Sequence, residues 1–161
     1  MDFHSRLEKA IERGQKAGSA RAESEARQVL NEQEIRRLHS QYRLELSERI
    51  ENALKQVADH FPGFQFETLV NERGWGAAVG RDDIDLKPGQ TTRSFFSRLE
   101  IVIRPVTTAH VLELAAKSTI RNKELFHRTH FQRLTEVDIT SFCETMDLWV
   151  LEFAESFAAQ N

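Results

Sequence analysis

The sequence has few of the residues that interrupt or cross-link a fold. Among its 161 residues there are one cysteine, seven glycines and three prolines. A single cysteine excludes an internal disulfide framework and fits a reducing compartment, so we expect a cytoplasmic protein. Glycine and proline together are about half as frequent as in an average protein. Such a composition indicates long secondary-structure elements joined by few tight turns.

Long apolar runs and short catalytic motifs are also missing. No apolar run is long enough to span a bilayer, and the start, Met-Asp-Phe-His-Ser-Arg, lacks the apolar stretch of a secretory signal. We therefore expect no membrane association. Gly74, Gly76 and Gly80 miss the dinucleotide fingerprint by one residue and lead into a strand-like stretch. No nucleophile elbow, P-loop or zinc-protease pattern is present, which favours a non-catalytic protein without a cofactor.

The net charge of −3 hides an uneven distribution. Residues 61–134 hold 11 basic and 8 acidic side chains, whereas residues 135–161 hold six acidic and no basic ones. In one interpretation the acidic and basic parts lie close together in the folded molecule and offset each other's charge. In the alternative, the basic part binds an anionic partner. A sequence pI near 6.1 argues against general binding of duplex nucleic acid, which needs many clustered cations.

Residues 19–61 predict a long helix. They contain neither glycine nor proline and consist mostly of good helix formers, with Ser19 as the cap and Pro62-Gly63 as the stop. At 1.5 Å per residue the helix would be about 64 Å long, whereas a compact 161-residue domain is about 40 Å across. Before it, residues 1–18 carry a short amphipathic stretch that Gly14 and Gly18 are expected to interrupt.

The two halves of this helix carry different apolar rows. Seven apolar side chains between residues 35 and 57 repeat every 3.67 residues, which predicts packing of this half on a globular core. The first half offers a thinner row, and the two rows face different directions. We therefore predict a bend near residues 31–34 or a projecting first half, with a helical arm at 1–34 and a domain at 35–161. The predicted interface of the arm consists of Ala22, Ala26, Val29 and Leu30.

The rest of the chain predicts a sheet followed by a helix. Side chains alternate between polar and apolar over short segments of residues 64–133, with no helical spacing between them, which indicates an antiparallel meander. Residues 139–160 return to helical spacing, with Asp138 as the cap and a bulky apolar row that should fill a trough of small residues at 74–80. The predicted fold class is α+β: a long N-terminal helix, four or five antiparallel strands and an amphipathic C-terminal helix on the sheet.

Two further surfaces are candidate binding sites. A cup for a small molecule would lie between sheet and helices. An anion site would lie on the outward sheet face if the predicted alternation holds, where arginine suits planar anions and single-stranded nucleic acid. His127 and His130 point to opposite faces of a strand and cannot share a metal, so no metal site is expected. The cup residues are Trp75, Gly76, Ala78 and Trp149, and the anion residues are Arg98, Arg104, Lys117, Arg121 and Arg128.

These observations favour a non-catalytic interaction or assembly protein that self-associates through its N-terminal arm, most simply as a twofold dimer. A polar helix of this kind is marginal alone in water, since packing supplies most helical stability. A small-molecule-binding or enzymatic cup is the first alternative. An anion or single-stranded nucleic-acid surface on the sheet is the second.

Overall fold

The protein is an α+β fold in a computed structural model, which describes residues 2–160 without the side chains of 27–30. A long N-terminal helix precedes a five-stranded antiparallel sheet, and a C-terminal helix packs on the sheet, as predicted. A short 3-10 helix, Leu134–Glu136, separates the sheet from the last helix. The elements are α1 (Phe3–His60), β1 (Gln65–Asn71), β2 (Gly74–Asp85), β3 (Arg93–Ile103), β4 (Val111–Ile120), β5 (Lys123–Arg133) and α2 (Ile139–Ala159).

The chain divides into two compact units between Arg37 and Leu38. The first unit contains only the first part of α1, and we call residues 3–37 the arm. The second unit contains the last part of α1, residues 38–60, together with the sheet and α2.

The helix α1 begins at Phe3 and not at Ser19, so the prediction that Gly14 and Gly18 interrupt it is wrong. A glycine inside a helix costs about 1 kcal/mol relative to alanine, which lowers stability without ending the helix. At its start Asp2 accepts a hydrogen bond from the backbone N–H of Ser5, and this bond lowers the pKa of the Asp2 carboxyl.

The five strands are hydrogen-bonded in sequence order, β1-β2-β3-β4-β5, and every neighbouring pair is antiparallel. The β4–β5 turn lies at Arg121 and Asn122, which both have positive φ. The side chain of Asn122 also accepts from the backbone N–H of Phe96 and donates to the carbonyl of Ser94. These bonds fasten the turn to β3.

The second half of α1 and the helix α2 lie on one face of the sheet, which we call the inner face. Lys55 and Arg43 of α1 lie over the rings of Phe66 in β1 and Trp75 in β2, and α2 contacts β4 and β5. Leu54 of α1 is fully buried, whereas Ala53, a member of the predicted apolar row between residues 35 and 57, is half-buried. The bulky row of α2 is buried in the interior, including Phe142, Phe153, Phe157 and Met146.

Most small residues of β2 lie on the other sheet face, and α2 contacts β4 and β5, so the prediction that α2 fills a trough of small residues at 74–80 is wrong. Gly76 and Ala78 pair with Val102 and Glu100, whereas Ala77 pairs with the inner-face residue Ile101. A Cβ at Gly76 would lie 2.0 Å from the carbonyl oxygen of Ile101. The glycine is therefore required by the close approach of β3 rather than by a helix.

Candidate functional site

The arm carries a row of exposed apolar side chains on one helical face. Phe3, Leu7 and Ile11 follow each other at intervals of four residues, and 76%, 45% and 52% of their surfaces are exposed. Ala22 and Ala26 of the predicted interface are exposed farther along the same helix. The other two predicted interface residues, Val29 and Leu30, lie outside the described side chains.

A groove runs between the last part of α1 and α2 within the second unit. Its volume is about 610 Å³. Small and branched apolar side chains line it, because alanines at positions 53 and 154 leave space between the two helix backbones. Polar side chains of α1 form one edge. The apolar lining includes Ala53, Val57, Val150, Leu151 and Ala154, and the polar edge includes Asn52, Gln56 and His60.

Two leucines on the outer side of α2 have no covering element among residues 2–160. Leu148 and Leu151 keep 67% and 63% of their surfaces exposed, and Leu151 also lines the groove. Their spacing of three residues places them side by side on the helix. Exposed glutamates at 144 and 155 precede and follow them along this outer side. The groove and these leucines form one adjoining surface, which we call the groove face.

A charged cluster lies at one end of the groove. Arg49 donates a hydrogen bond to the carboxylate of Asp147 at 2.7 Å, which joins α1 to α2. The hydrogen bond raises the pKa of the Arg49 guanidinium. Burial raises the pKa of the nearby Cys143 thiol, and the positive charge of Arg49 opposes that rise only in part. The thiol is therefore held in its protonated form, which does not favour a nucleophilic role.

The residues of the predicted cup are not brought together. Trp75 lies on the inner face near the start of β2, beneath the guanidinium of Arg43, and Trp149 of α2 packs against Phe126 of β5. Gly76 and Ala78 face the other side of the sheet. The interior between sheet and helices is filled by buried aromatic and aliphatic side chains, and none of the four residues lines the groove described above.

The predicted anion residues on the outward sheet face are largely balanced by acidic neighbours. Arg98 lies 2.8 Å from Glu67 and 3.7 Å from Glu100, and Arg73 also contacts Glu100. Lys117 is exposed and lies opposite Glu100 in the register of β3 and β4. Glu100 itself is buried beside an apolar cluster that includes Ala78 and Val102, so these ion pairs neutralise much of the basic charge on this face.

Of the other three anion residues, Arg128 and Arg121 lie away from this surface. Arg128 faces the inner side, opposite Ala116 in β4, and forms a two-bond ion pair with Glu152 of α2. The prediction that it faces outward is therefore wrong. Arg121 stacks on the ring of Phe95 at the β4–β5 turn, and Arg104 follows the end of β3. The five residues thus form no single basic patch.

Metal-binding clusters and membrane-spanning helices were both sought among the described residues. Within residues 2–160, no cluster of three or more histidine, cysteine or acidic side chains has the arrangement of a metal site. His127 and His130 do face opposite sides of β5, as predicted, and His130 packs edge-on against Phe142. No helix in the same part of the chain combines the length and apolarity needed to cross a bilayer.

Comparisons of the chain with protein-family models, with curated proteins and with solved structures find no match.

Sequence reasoning did not single out two sets of apolar residues that the structure leaves exposed. The row of Phe3, Leu7 and Ile11 was visible, but the two glycines after it were expected to end the helix. Leu148 and Leu151 belong to a strongly apolar segment. Only their position on the helix, on the side opposite the buried row, distinguishes them from core residues. A helical projection of residues 139–160 would have separated the two leucines from the buried row.

Proposed function

We propose that this protein is a non-catalytic assembly module whose N-terminal arm binds a second copy of the chain. The observation that carries the proposal is the exposed row of Phe3, Leu7 and Ile11 on the arm. Isolated exposed apolar residues are common, but three large ones in register on one helical face form a surface suited to a protein partner.

The energetics of the arm support the proposal. Helices in proteins gain most of their stability from packing of an apolar face, and the arm contains two glycines that each cost about 1 kcal/mol in helix propensity. A Cβ added at Gly14 or Gly18 would meet no other atom within 4 Å, so no contact in the described chain requires a glycine there. A partner that covers the apolar row would supply the missing stability.

A second copy of the chain is the simplest partner. The groove face presents apolar surface and acidic charge, whereas residues 3–18 of the arm present an apolar row and four basic against two acidic side chains. One chain therefore carries two surfaces that are both apolar and that are opposite in charge. A symmetric dimer is the most economical assembly of such a chain.

Multi-angle light scattering on the full chain and on a Leu7→Asp, Ile11→Asp double variant tests the proposal. We expect the mass of a dimer for the natural sequence and the mass of a monomer for the variant, because each aspartate introduces a charge into the apolar row. A Glu12→Asp variant is the matched control, since it keeps the charge on the same helix away from the row. A natural chain that stays monomeric at high micromolar concentration contradicts the proposal.

A further inference from the structure

We infer that residues 3–18 of one copy bind to the groove face of a second copy, as an amphipathic helix laid along the groove. The inference rests on the proposed self-association and names the surface that receives the arm. It places the exposed apolar row of the arm against the apolar lining between α1 and α2. Helix-in-groove recognition of this type is a recurrent mode of peptide binding.

The groove provides the space and the apolar contacts that such a helix needs. Its floor is made of small or branched side chains, including Ala53, Val57 and Ala154. Leu151 lies at the rim, and Leu148 extends the apolar surface along the outer side of α2. A helix seated there would cover Leu151 and lie beside Leu148, which no element among residues 2–160 covers.

The dimensions of the two surfaces agree. From Phe3 to Ile11 the arm rises by about 12 Å, at 1.5 Å per residue. Along α1 the groove is lined from Arg49 to His60, a rise of about 17 Å on the same scale. The apolar row therefore fits within the length of the groove and leaves room for the basic side chains that flank it.

Charge complementarity selects the arm as the occupant. Residues 135–161 carry six acidic side chains and no basic one, and only Asp147 and Glu152 of the six form ion pairs with described residues of the second unit. Residues 3–18 have a net charge of +2 from four basic and two acidic side chains. Arg6 and Arg13 lie on the same flank of the apolar row, seven residues apart, where they can face an acidic helix.

The same charges argue against contact between two groove faces. An antiparallel pairing of two α2 helices that placed Leu148 against Leu151 of the second copy would also place Glu144 against Glu155. Like charges at a contact are unfavourable and suppress that pairing. A helix with an apolar row and basic side chains beside it, by contrast, can place apolar side chains against the leucines and basic side chains near the glutamates.

The test uses full-length chains and measures the dissociation constant of the dimer by sedimentation. We expect Leu151→Asp to weaken the dimer at least tenfold, because a charge at the rim opposes the apolar row. Leu86→Asp is the matched control, since Leu86 is a comparably exposed leucine in the loop between β2 and β3, and it should leave the constant unchanged. Glu155→Arg should also weaken the dimer, and Arg13→Glu added to it should restore part of the loss.

The outcomes separate this inference from the proposed function. If Leu7→Asp, Ile11→Asp dissociates the dimer while Leu151→Asp and Glu155→Arg do not, the arm associates elsewhere and only the groove inference fails. If the natural chain is monomeric, both fail. Circular dichroism and thermal melting of each variant establish that the second unit remains folded, as expected for substitutions at exposed positions.

Discussion

Arg49 of α1 and Asp147 of α2 form a hydrogen-bonded ion pair, with 2.7 Å between Nη2 and Oδ2. The pair bridges the two helices on the inner face at one end of the groove. About half of each side chain is exposed, 49% for Arg49 and 44% for Asp147, so solvent screens the charges. The contact therefore sets the alignment of the two groove walls more than it sets the stability of the fold.

A double-mutant cycle with Arg49→Gln and Asp147→Asn measures the energy of this contact. We expect a coupling free energy of about 0.2–1 kcal/mol, the range of exposed ion pairs, that decreases as salt is added. Urea unfolding of the four proteins provides the measurement. A coupling free energy of several kcal/mol that does not change with salt would show that the ion pair is desolvated. It would contradict the claim that solvent screens these charges.

Gly76 is expected to resist substitution, and Gly80 on the same strand provides the control. A Cβ at Gly76 would lie 2.0 Å from the carbonyl oxygen of Ile101, whereas a Cβ at Gly80 has its nearest neighbour at 3.5 Å. Gly76→Ala should lower the free energy of unfolding by at least about 1–3 kcal/mol, the cost of overpacking. Gly80→Ala should be close to neutral in the same denaturant titration. Equal effects of the two substitutions contradict the close pairing of β2 with β3.

His39 is expected to make the stability of the second unit depend on pH. Burial lowers the pKa of His39, and the hydrogen bond from its Nε2 to the carbonyl of Arg104 offsets this only in part. Because the folded-state pKa lies below the unfolded value of about 6.5, the unfolded chain binds more protons as pH falls. The contribution of neutral His39 to the free energy of unfolding should therefore be complete above the pKa of the unfolded state. It should be lost as the pH falls through the pKa of the folded state.

A His39→Gln variant separates this contribution from the other five histidines. Melting temperatures of both proteins measured between pH 8 and pH 5 should show a smaller decrease for the variant. The neutral side chain keeps a polar group near Arg104 but cannot titrate. Identical pH profiles would mean that His39 does not contribute to the acid sensitivity.

Cys143 should react slowly with thiol reagents at neutral pH. Burial raises the pKa of its thiol, so the reactive thiolate is scarce, and the charge of Arg49 counteracts burial only in part. Replacement of Arg49 by glutamine should slow the reaction further. The rate of modification by a chromogenic disulfide as a function of pH provides the measurement. A fast reaction at pH 7 in the folded protein would indicate an activated thiol and reopen a catalytic role.

Local patterns in the sequence were sufficient to predict the class and order of the elements. Period-two alternation predicted the antiparallel strands, and Asp138 caps α2 by accepting from the backbone N–H of Thr140, as expected. The start of α1 could not be predicted in the same way. Two glycines lower helix propensity, but the good helix formers around them keep the segment helical.

Long-range placement was harder to predict than local structure. The face of Arg128 depends on the register of β4 with β5, which contains an irregularity between Ser118 and Thr119. The position of Gly76 depends on which sheet face the helices cover, and small side chains fit either face. The groove arises from the spacing of two helices that are far apart in sequence, so no local pattern reports it.

Sedimentation equilibrium on the unaltered full chain, over a concentration series from low to high micromolar, tests the central claim most directly. The account predicts a reversible monomer–dimer equilibrium that shifts toward monomer as salt is raised, because basic arm and acidic helix attract each other. A single species with the mass of one chain across the whole series contradicts it.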